Sequence, residues 1–329
     1  MSPFRALIAE GSADHYVTHF KDLADDALPP GDLLIDIAYS SLNYKDALAV
    51  TGRGRIIRRF PMVCGIDLSG RVLASQSPEF TAGDEILVAG HGSGETHWGG
   101  YSQRARVPAS AAVKLPGGLN LKQAMAVGTA GFTAMLSLIA LEDHGVAPGD
   151  REVVVTGAAG GLGSIAVALL AVHGYKVAAS TGRVETHDYL RELGAATIVD
   201  RADLAKKGPP LASERWAAAI DTVGGQTLAS VIASTAAYGA VAACGLAGGA
   251  ELPTTVFPFI LRNIALLGIN SVNPPGSLRA RAWERLGHEA FVSKLDAIAS
   301  LEPLSGIKDL CLQILDGKVR GRVVIDVNA

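Results

Sequence analysis

The sequence has few cysteines, few aromatic residues and little charge. Its three cysteines, Cys64, Cys244 and Cys311, are widely separated and odd in number, so they provide neither a disulfide framework nor a CxxC zinc pattern. The net charge of -3 lacks the basic excess that is typical of nucleic-acid-binding proteins. An apolar content of 49% with only 19% charged residues excludes a disordered chain and predicts buried cores.

The N-terminal sequence lacks a long apolar run, which argues against a signal peptide. One later stretch, 229–247, is apolar enough to raise the question of a membrane span, which needs about 20 predominantly apolar residues. This stretch contains several serines and glycines and few leucines. We therefore interpret it as a buried helix followed by a strand, and we expect a cytoplasmic protein with no membrane or nucleic-acid partner.

With 329 residues, the chain is longer than a single hydrophobic core usually supports, so two domains are expected. The first, 1–121, contains short apolar or alternating runs separated by Gly, Pro and Asp turns, which predict a compact, mostly antiparallel β domain. The second, 122–300, alternates between helical and buried-strand patterns and predicts a doubly wound parallel sheet. The last segment, 301–329, ends in a short strand that we expect to return to the first domain.

The predicted elements follow from these patterns. The predicted strands are 6–9, 33–39, 70–74, 85–89, 152–156, 176–180, 196–199, 217–221, 240–244, 265–269 and 321–327. The predicted helices are 122–142, 164–173, 188–193 and a polar helical region, 278–300.

A glycine-rich segment, VVVTGAAGGLG at 153–163, joins a buried strand to an apolar helix. Glycines let a backbone turn sharply and approach a pyrophosphate, and the following helix N-terminus offers free N–H groups to phosphates. The segment lies inside a βαβ unit of suitable length, so it predicts a dinucleotide site rather than an empty turn. Two later turns, 221–225 and 244–249, also end strands and are candidates to line the same site.

The end of the second strand of this unit indicates which dinucleotide binds. An NAD site usually carries Asp or Glu there, whereas this chain has Ser-Thr-Gly-Arg at 180–183. Two hydroxyls and the planar guanidinium of Arg183 suit a 2′-phosphate. NADPH is therefore favoured over NADH, and an ordinary polar loop is the alternative.

Two segments of the first domain place polar groups directly after apolar runs, SSLNYKD at 40–46 and PMVCGIDLSG at 61–70. With VGTAGFTAM at 127–135 and the glycine-rich segment, they resemble the medium-chain dehydrogenase/reductases of the zinc-free, quinone-oxidoreductase type over essentially the whole chain. Four further segments resemble one branch, the NADPH-dependent acrylyl-CoA reductases. Those segments are 90–101, 120–142, 244–249 and 253–263.

The resemblance implies an α/β fold in which a Rossmann domain with a doubly wound parallel sheet is joined to a GroES-like β domain. It also implies NADPH as cofactor, an acyl-CoA thioester as substrate and a homodimer. The implied reaction is hydride transfer to the β-carbon of acrylyl-CoA, which reduces its C=C bond and gives propanoyl-CoA. An NADPH:quinone oxidoreductase and a non-enzymatic NADPH-binding sensor are the alternatives.

No metal is expected. The zinc-dependent relatives carry a lobe of four closely spaced cysteines, which this chain lacks, and a His-Glu pair where this chain has Ile66-Asp67. A catalytic zinc needs about three protein ligands, and the spacing of Cys64, His91 and His97 does not support such a set.

The resemblance places Tyr44 beside the nicotinamide, although a packed aromatic with a bonded hydroxyl is its rival role. Asn43 is assigned to positioning a carbonyl, and Asp67 to orienting polar neighbours or a ribose, with a structural loop role as its alternative. The cofactor contacts that the resemblance implies are Tyr44, Ala159, Gly160, Gly161, Leu162, Gly163, Ser180, Thr181, Gly182, Arg183, Arg201, Leu246, Ile260 and Ser271.

A local basic cluster at 53–59 includes Arg58 and Arg59. Because coenzyme A carries phosphates, this cluster is a candidate for capturing the substrate. A solvated surface face is the alternative.

Overall fold

The computed structural model describes residues 3–329, apart from the side chain of Glu289. The chain divides into two compact units, one formed by Met1–Thr129 with Leu295–Ala329 and the other by Ala130–Lys294. The sequence-based limits at 121 and 300 lie near these divisions, and the assignment of each unit as a domain stays a prediction.

The strands and helices are numbered in chain order. The strands are β1 (Phe4–Ser12), β2 (His15–Leu23), β3 (Leu33–Ser41), β4 (Met62–Val63), β5 (Asp67–Ser75), β6 (Glu85–Ala89), β7 (Arg104–Val107), β8 (Val113–Lys114), β9 (Val153–Val155), β10 (Val177–Thr181), β11 (Ala195–Asp200), β12 (Trp216–Asp221), β13 (Thr235–Ala243), β14 (Ala265–Gly268), β15 (Ala299–Pro303) and β16 (Arg322–Asp326). The helices are α1 (Tyr44–Thr51), α2 (Leu121–Asp143), α3 (Gly161–Val172), α4 (His187–Leu193), α5 (Arg201–Ala205), α6 (Gly225–Ser234), α7 (Phe257–Arg262), α8 (Gly276–Leu286), α9 (Glu289–Val292), α10 (Leu295–Ile298) and α11 (Ile307–Leu315).

The first unit contains two sheets. One has the strand order β2-β1-β4, and the other has the order β15-β16-β3-β5-β6-β8, with β7 also paired to β3. The pairs that β3 makes are antiparallel, including the one with β16, which sets Val324 opposite Ser41. Leu33, Ile35 and Ile37 of β3 are fully buried in the core of this unit. Strand β3 ends in the buried serines Ser40 and Ser41, so it delivers polar groups into an apolar interior.

The second unit has six parallel strands in the order β11-β10-β9-β12-β13-β14. The first strand in sequence, β9, is central, and the strand order reverses between β9 and β12. In such sheets, ligands bind outside the carboxyl ends of the strands at this reversal. The short apolar run of β9 is fully buried, as strands covered on both faces require. The predicted α/β class with a doubly wound parallel sheet is confirmed.

Several element predictions are wrong. The polar helical region 278–300 is divided among α8, α9 and α10, and its last two residues belong to β15. Helix α1 is absent from the predictions, although Asn43 and Asp46 form a capping box at its start. The helix predicted at 122–142 is present as α2, but Gly128 interrupts it with φ 48° and ψ -160°.

The apolar stretch 229–247 contains the end of α6 and then β13, as predicted. Within residues 3–329, α2 is the helix long and apolar enough to cross a membrane, and most of its apolar stretch is buried inside the protein. The central helix of a folded core has the same two properties.

Candidate functional site

The glycine-rich turn lies at the carboxyl end of β9, with Gly160 as the N-cap of α3. Gly157 has φ 59°, and a Cβ there would lie 2.3 Å from Thr222 Oγ1. A Cβ on Gly163 would lie 2.3 Å from the carbonyl oxygen of Gly157. Packing therefore requires glycine at both positions. The first turn of α3 keeps backbone N–H groups without helical acceptors, which fits a pyrophosphate.

A buried pair locks this turn to the end of β12. Thr156 Oγ1 donates to Asp221 Oδ1 at 2.7 Å, and the backbone N–H of Gly224 donates to Asp221 Oδ2 at 2.7 Å. The Thr222 hydroxyl donates back to the carbonyl oxygen of Thr156 at 2.9 Å. Burial raises the pKa of Asp221, and its bonds to Thr156 and Gly224 oppose that shift. The turns at both sides of the strand-order reversal are thus held together.

The turn at 221–225 also contacts the turn at 244–249. The backbone N–H of Gly248 donates to the carbonyl oxygen of Val223 at 2.7 Å, and Gly224 and Gly249 form a bridge. Sequence reasoning named both turns as candidates, and the structure brings them together. Sequence reasoning misses Thr156, because in the sequence this threonine looks like one more residue of the strand.

Arg183 reaches back over the glycine-rich turn. Its Nη2 donates to the carbonyl oxygen of Ala159 at 3.0 Å, and its backbone N–H donates to Thr181 Oγ1 at 3.2 Å. Ser180 and Thr181 are buried, and the Thr181 hydroxyl lies 3.3 Å from the hydroxyl of Thr186. Arg201 lies against Gly182, where an added Cβ would be 2.5 Å from Arg201 Nε. Both predicted arginines therefore lie near the carboxyl end of β10, and their role in binding a phosphate stays a prediction.

Three predicted nicotinamide contacts lie on later segments of the second unit. Leu246 follows β13, Ile260 lies on α7, and Ser271 follows β14. The first two side chains are largely exposed, and Ser271 is half-buried. Their contact with a nicotinamide stays a prediction.

In the first unit, Asp67 is the centre of a buried polar cluster. Its Oδ2 accepts from Ser41 Oγ at 2.6 Å and from Asn43 Nδ2 at 2.8 Å. The backbone N–H of Thr129 also donates to Oδ2, and the Thr129 hydroxyl donates to Oδ1 at 2.5 Å. Three of these donors converge on Oδ2 and one on Oδ1, so Ser41, Asn43 and Thr129 together hold the carboxylate in place. The geometry therefore suits Asp67 for orienting its neighbours.

Asp46 is a second fully buried carboxyl in this region. It accepts from the backbone N–H and the Nδ2 of Asn43 at 2.9 and 3.1 Å, and from the backbone N–H of Ile66 at 2.8 Å. Burial, followed by the negative charge of Asp67, raises the pKa of Asp46 to about 7 against the opposing effect of these donors. Sequence reasoning assigned no role to Asp46.

Tyr44 differs from Asn43 and Asp67 in its accessibility. It is the first residue of α1 and its side chain is 42% exposed, whereas Asn43 is 7% exposed and Asp67 is fully buried. Among these three predicted catalytic residues, Tyr44 is the one with an accessible functional group. The other two are arranged to hold the chain around it.

The basic cluster lies on the loop after α1. Arg58 and Arg59 are exposed, and the backbone N–H of Arg58 donates to the carbonyl oxygen of Glu95 at 2.9 Å. Lys45 forms an ion pair with the side chain of the same Glu95, also at 2.9 Å. The loop is therefore anchored to the start of α1, with the two guanidinium groups facing solvent.

Sequence reasoning missed four polar residues of the first unit: Ser41, Asp46, Thr129 and Arg322. A usable signal existed, because Ser41 and Arg322 are polar residues at the ends of apolar strands.

Within residues 3–329, no group of three or more His, Cys, Asp or Glu residues is placed to hold a metal ion. Burial raises the pKa of the Cys64 thiol to about 12.

Comparison with known proteins gives matches over nearly the whole chain. The family model for the alcohol dehydrogenase GroES-like domain matches residues 29–117, and the model for zinc-binding dehydrogenases matches residues 161–287. The acrylyl-CoA reductase AcuI of Ruegeria pomeroyi is 49% identical over 99% of this chain and all of that protein. AcuI of Escherichia coli is 49% identical over 98% of this chain and all of its own length. YhfP of Bacillus subtilis, whose name describes a quinone oxidoreductase, is 44% identical over 98% of both chains.

Solved structures agree with these matches. The crystal structure of Escherichia coli YhdH with bound NADPH has a TM-score of 0.95 and 49% identity, and it covers 98% of this chain and all of that one. The structure of Bacillus subtilis YhfP with bound NAD has a TM-score of 0.94 and 42% identity, and it covers 99% of this chain and all of that one. The predicted GroES-like and Rossmann folds are confirmed. The chain belongs to the medium-chain dehydrogenase/reductase family, in the branch that contains the AcuI acrylyl-CoA reductases.

Proposed function

We propose that this protein is an NADPH-dependent acrylyl-CoA reductase, which reduces the C=C bond of acrylyl-CoA and forms propanoyl-CoA. The observation that carries the proposal is the 49% identity to two AcuI proteins over 98–99% of the chain. The site geometry supports the proposal. The second unit has a glycine-rich turn that suits a pyrophosphate, and the first unit has an exposed tyrosine, Tyr44, next to a buried polar cluster.

The residues at the carboxyl ends of β9 and β10 fit NADPH. The turn from Ala159 to Gly163 would hold the pyrophosphate, because the first turn of α3 keeps backbone N–H groups without helical acceptors and only glycine fits at position 163. Arg183, with Arg201 beside Gly182, would hold the 2′-phosphate through charge-assisted hydrogen bonds. When it is bound, NADPH supplies the hydride for the β-carbon of the substrate.

The first unit supplies the groups for the substrate. Negative charge develops on the thioester oxygen as the C=C bond is reduced, and a positioned O–H donor stabilises that charge. Tyr44 offers such a donor from the first turn of α1. Asn43 and Asp67 hold that turn through the buried cluster, and the α-carbon takes its proton from water or a side chain.

Arg58 and Arg59 would contact the phosphates of coenzyme A. Both are exposed on a loop anchored by Glu95, so they offer positive charge without losing a buried partner. Guanidinium groups bind phosphate oxygens through paired N–H donors.

We also propose a cytoplasmic homodimer. Within the described residues β14 pairs only with β13, and an open strand edge pairs readily with another chain. Phe257 and Leu261 of the preceding α7 are exposed apolar residues of the same unit. Sedimentation should give twice the chain mass, and Leu261→Glu should shift the protein to monomer, whereas Leu73→Glu, an exposed leucine of the first unit, should leave the dimer intact.

The assay follows NADPH absorbance with acrylyl-CoA, crotonyl-CoA and a small quinone, with NADH as the control cofactor. We expect oxidation of NADPH with acrylyl-CoA and the formation of propanoyl-CoA. Activity with the quinone alone would support the alternative, an NADPH:quinone oxidoreductase, which the match to YhfP favours. Tight NADPH binding without oxidation by any acceptor would indicate a sensor.

A further inference from the structure

Arg322 opens the last strand, β16, and is only 2% exposed. A guanidinium carries five N–H donors in a planar fork, and here each has an oxygen acceptor. Nε donates to Ala126 O at 3.0 Å. The remaining acceptors are Leu42 O and Asn43 Oδ1 for Nη1, at 2.9 and 3.1 Å, and Ser41 Oγ and Met125 O for Nη2, at 2.9 and 3.5 Å.

These acceptors belong to two stretches of the first unit, 41–43 and 125–126. Ser41 ends β3, Asn43 caps α1, and Met125 with Ala126 lies in α2 just before its interruption at Gly128. Arg322 therefore ties β16 to the junction of β3 with α1 and to α2. Its charge is balanced by Asp67, whose Oδ2 lies 3.9 Å from Nη2.

The hydroxyl of Ser41 is the second junction of this cluster. It donates to Asp67 Oδ2 at 2.6 Å and accepts from Arg322 Nη2 at 2.9 Å and from Asn43 Nδ2 at 3.2 Å. Asn43 in turn donates to Asp67 and accepts from Arg322. Ser41 thus contacts every charged or amide group that fixes the Asn43 side chain from outside α1.

We propose that Arg322 and Ser41 are positioning residues that fix Asn43, and through it the first turn of α1 that carries Tyr44. The kinetic part of this inference rests on the proposed function. Burial makes the arrangement rigid, because any rotation of the guanidinium leaves desolvated donors without acceptors. A catalytic group displaced by about 1 Å loses up to about 100-fold in rate.

The neighbouring serines of β3 allow a matched test. Ser40 and Ser41 are both fully buried, but the Ser40 hydroxyl donates to the backbone oxygen of Asp67 at 2.7 Å and contacts no side chain of the cluster in the described hydrogen bonds. Ser41→Ala and Ser40→Ala each remove one buried hydroxyl. We expect kcat with acrylyl-CoA to fall about 10- to 100-fold in Ser41→Ala and less than about threefold in Ser40→Ala, with the Kd for NADPH unchanged in both.

Amide hydrogen exchange measures how firmly Asn43 is held, without an activity assay. The backbone N–H of Asn43 donates to Asp46, and that of Ala47 donates to the carbonyl oxygen of Asn43. Hydrogen exchange of these two amides should be at least about tenfold faster in Ser41→Ala than in Ser40→Ala. Arg322→Lys, which offers three donors in place of five, should resemble Ser41→Ala and not the wild type.

The outcomes separate the two claims. A wild-type protein that reduces no enoyl-CoA overturns the proposed function, and the exchange comparison then still decides the positioning role. An active wild type with equal kcat and equal exchange in the two serine variants overturns the positioning role. If Arg322→Lys fails to fold, the serine pair alone gives the answer.

Discussion

Thr156 and Asp221 join the carboxyl ends of β9 and β12 by a buried hydrogen bond of 2.7 Å. Thr156 also accepts from the backbone N–H of Thr222 at 3.0 Å, so one hydroxyl serves both the carboxylate and the turn that follows it. This contact sits beside the glycine-rich turn, and it fixes the distance between the two loops that border the strand-order reversal.

Thr156→Val should therefore weaken NADPH binding without touching the cofactor-binding residues themselves. Loss of the hydroxyl leaves a buried carboxylate short of a donor, which costs about 1–3 kcal/mol of folding free energy. We expect the Kd for NADPH to rise about tenfold, measured by nicotinamide fluorescence. Thr235→Val is the control, because that buried hydroxyl donates to the helix carbonyl of Val231, away from the two turns. An unchanged Kd for NADPH in Thr156→Val would show that this hydrogen bond does not affect the cofactor-binding turn.

Arg183→Ala should raise the KM for NADPH about 10- to 100-fold and change the KM for NADH less than twofold. A hydrogen bond to a charged group contributes about 1.5–3 kcal/mol, and only NADPH carries the 2′-phosphate. Steady-state kinetics with both cofactors measure the difference. Arg191→Ala, which removes an exposed arginine paired with Asp188, should leave both values unchanged. Equal weakening of the two cofactors would show that Arg183 does not read the phosphate.

Replacing both Arg58 and Arg59 with Ala should raise the KM for acrylyl-CoA and spare a small quinone. The effect should shrink as salt rises from 50 to 300 mM, because exposed charges are screened over about 10 Å at 0.1 M ionic strength. Steady-state rates with the two acceptors provide the measurement. An equal loss on both acceptors, or a loss that salt does not alter, argues against phosphate capture.

The second unit was largely accessible from the sequence. The strand at 217–221, the glycine-rich turn and the helix after it obey local rules, because glycine is needed where the backbone turns and buried parallel strands have continuous apolar runs. Two further parallel strands, at 176–180 and 196–199, lie within one residue of their observed ends in β10 and β11. Local sequence patterns were therefore sufficient to predict these elements of the second unit.

The cluster around Asp67 could not be assembled from the sequence in the same way. Its members come from β3, α1, β5, α2 and β16, and Arg322 lies about 280 positions from Ser41 in the chain. No periodicity connects such distant residues, since tertiary pairing of β16 with β3 brings them together. Gly128 is a related case, because its role depends on side chains that lie against it and not on its neighbours in sequence.

Gly128→Ala should lower the free energy of unfolding by about 1–3 kcal/mol, measured by urea denaturation. The residue has φ 48°, and an added Cβ would lie 2.6 Å from Asp67 Oδ2 and 2.7 Å from Arg322 Nη2. The new methyl group would therefore push apart the two charged groups of the cluster. Gly149→Ala is the matched control, because nothing lies within 4 Å of a Cβ there. Equal free energies of unfolding for the two variants would show that the cluster accommodates the added methyl group without loss of stability.

The buried carboxyl of Asp46 should make the free energy of unfolding depend on pH. Its pKa is raised from an ordinary value of 3.8 to about 7 in the folded chain. Between these values, the folded state holds a proton that the unfolded state has released. The contribution of Asp46 to stability is therefore full below about pH 4 and is lost as the pH rises toward 7, with a slope of at most about 1.4 kcal/mol per pH unit.

Asp46→Asn should remove this slope while lowering stability at acidic pH. A protonated carboxyl keeps a lone pair on each oxygen, whereas the NH2 group of an amide accepts no hydrogen bond. The N–H of Ile66 or of Asn43 therefore loses its acceptor in the variant, at a cost of about 1–3 kcal/mol. The unfolding free energies of the wild type and Asp46→Asn should therefore converge from pH 4 to pH 7. Asp188→Asn, at an exposed position on α4, should keep the wild-type slope. Parallel curves for the wild type and Asp46→Asn would show that the Asp46 carboxyl is ionised throughout this range.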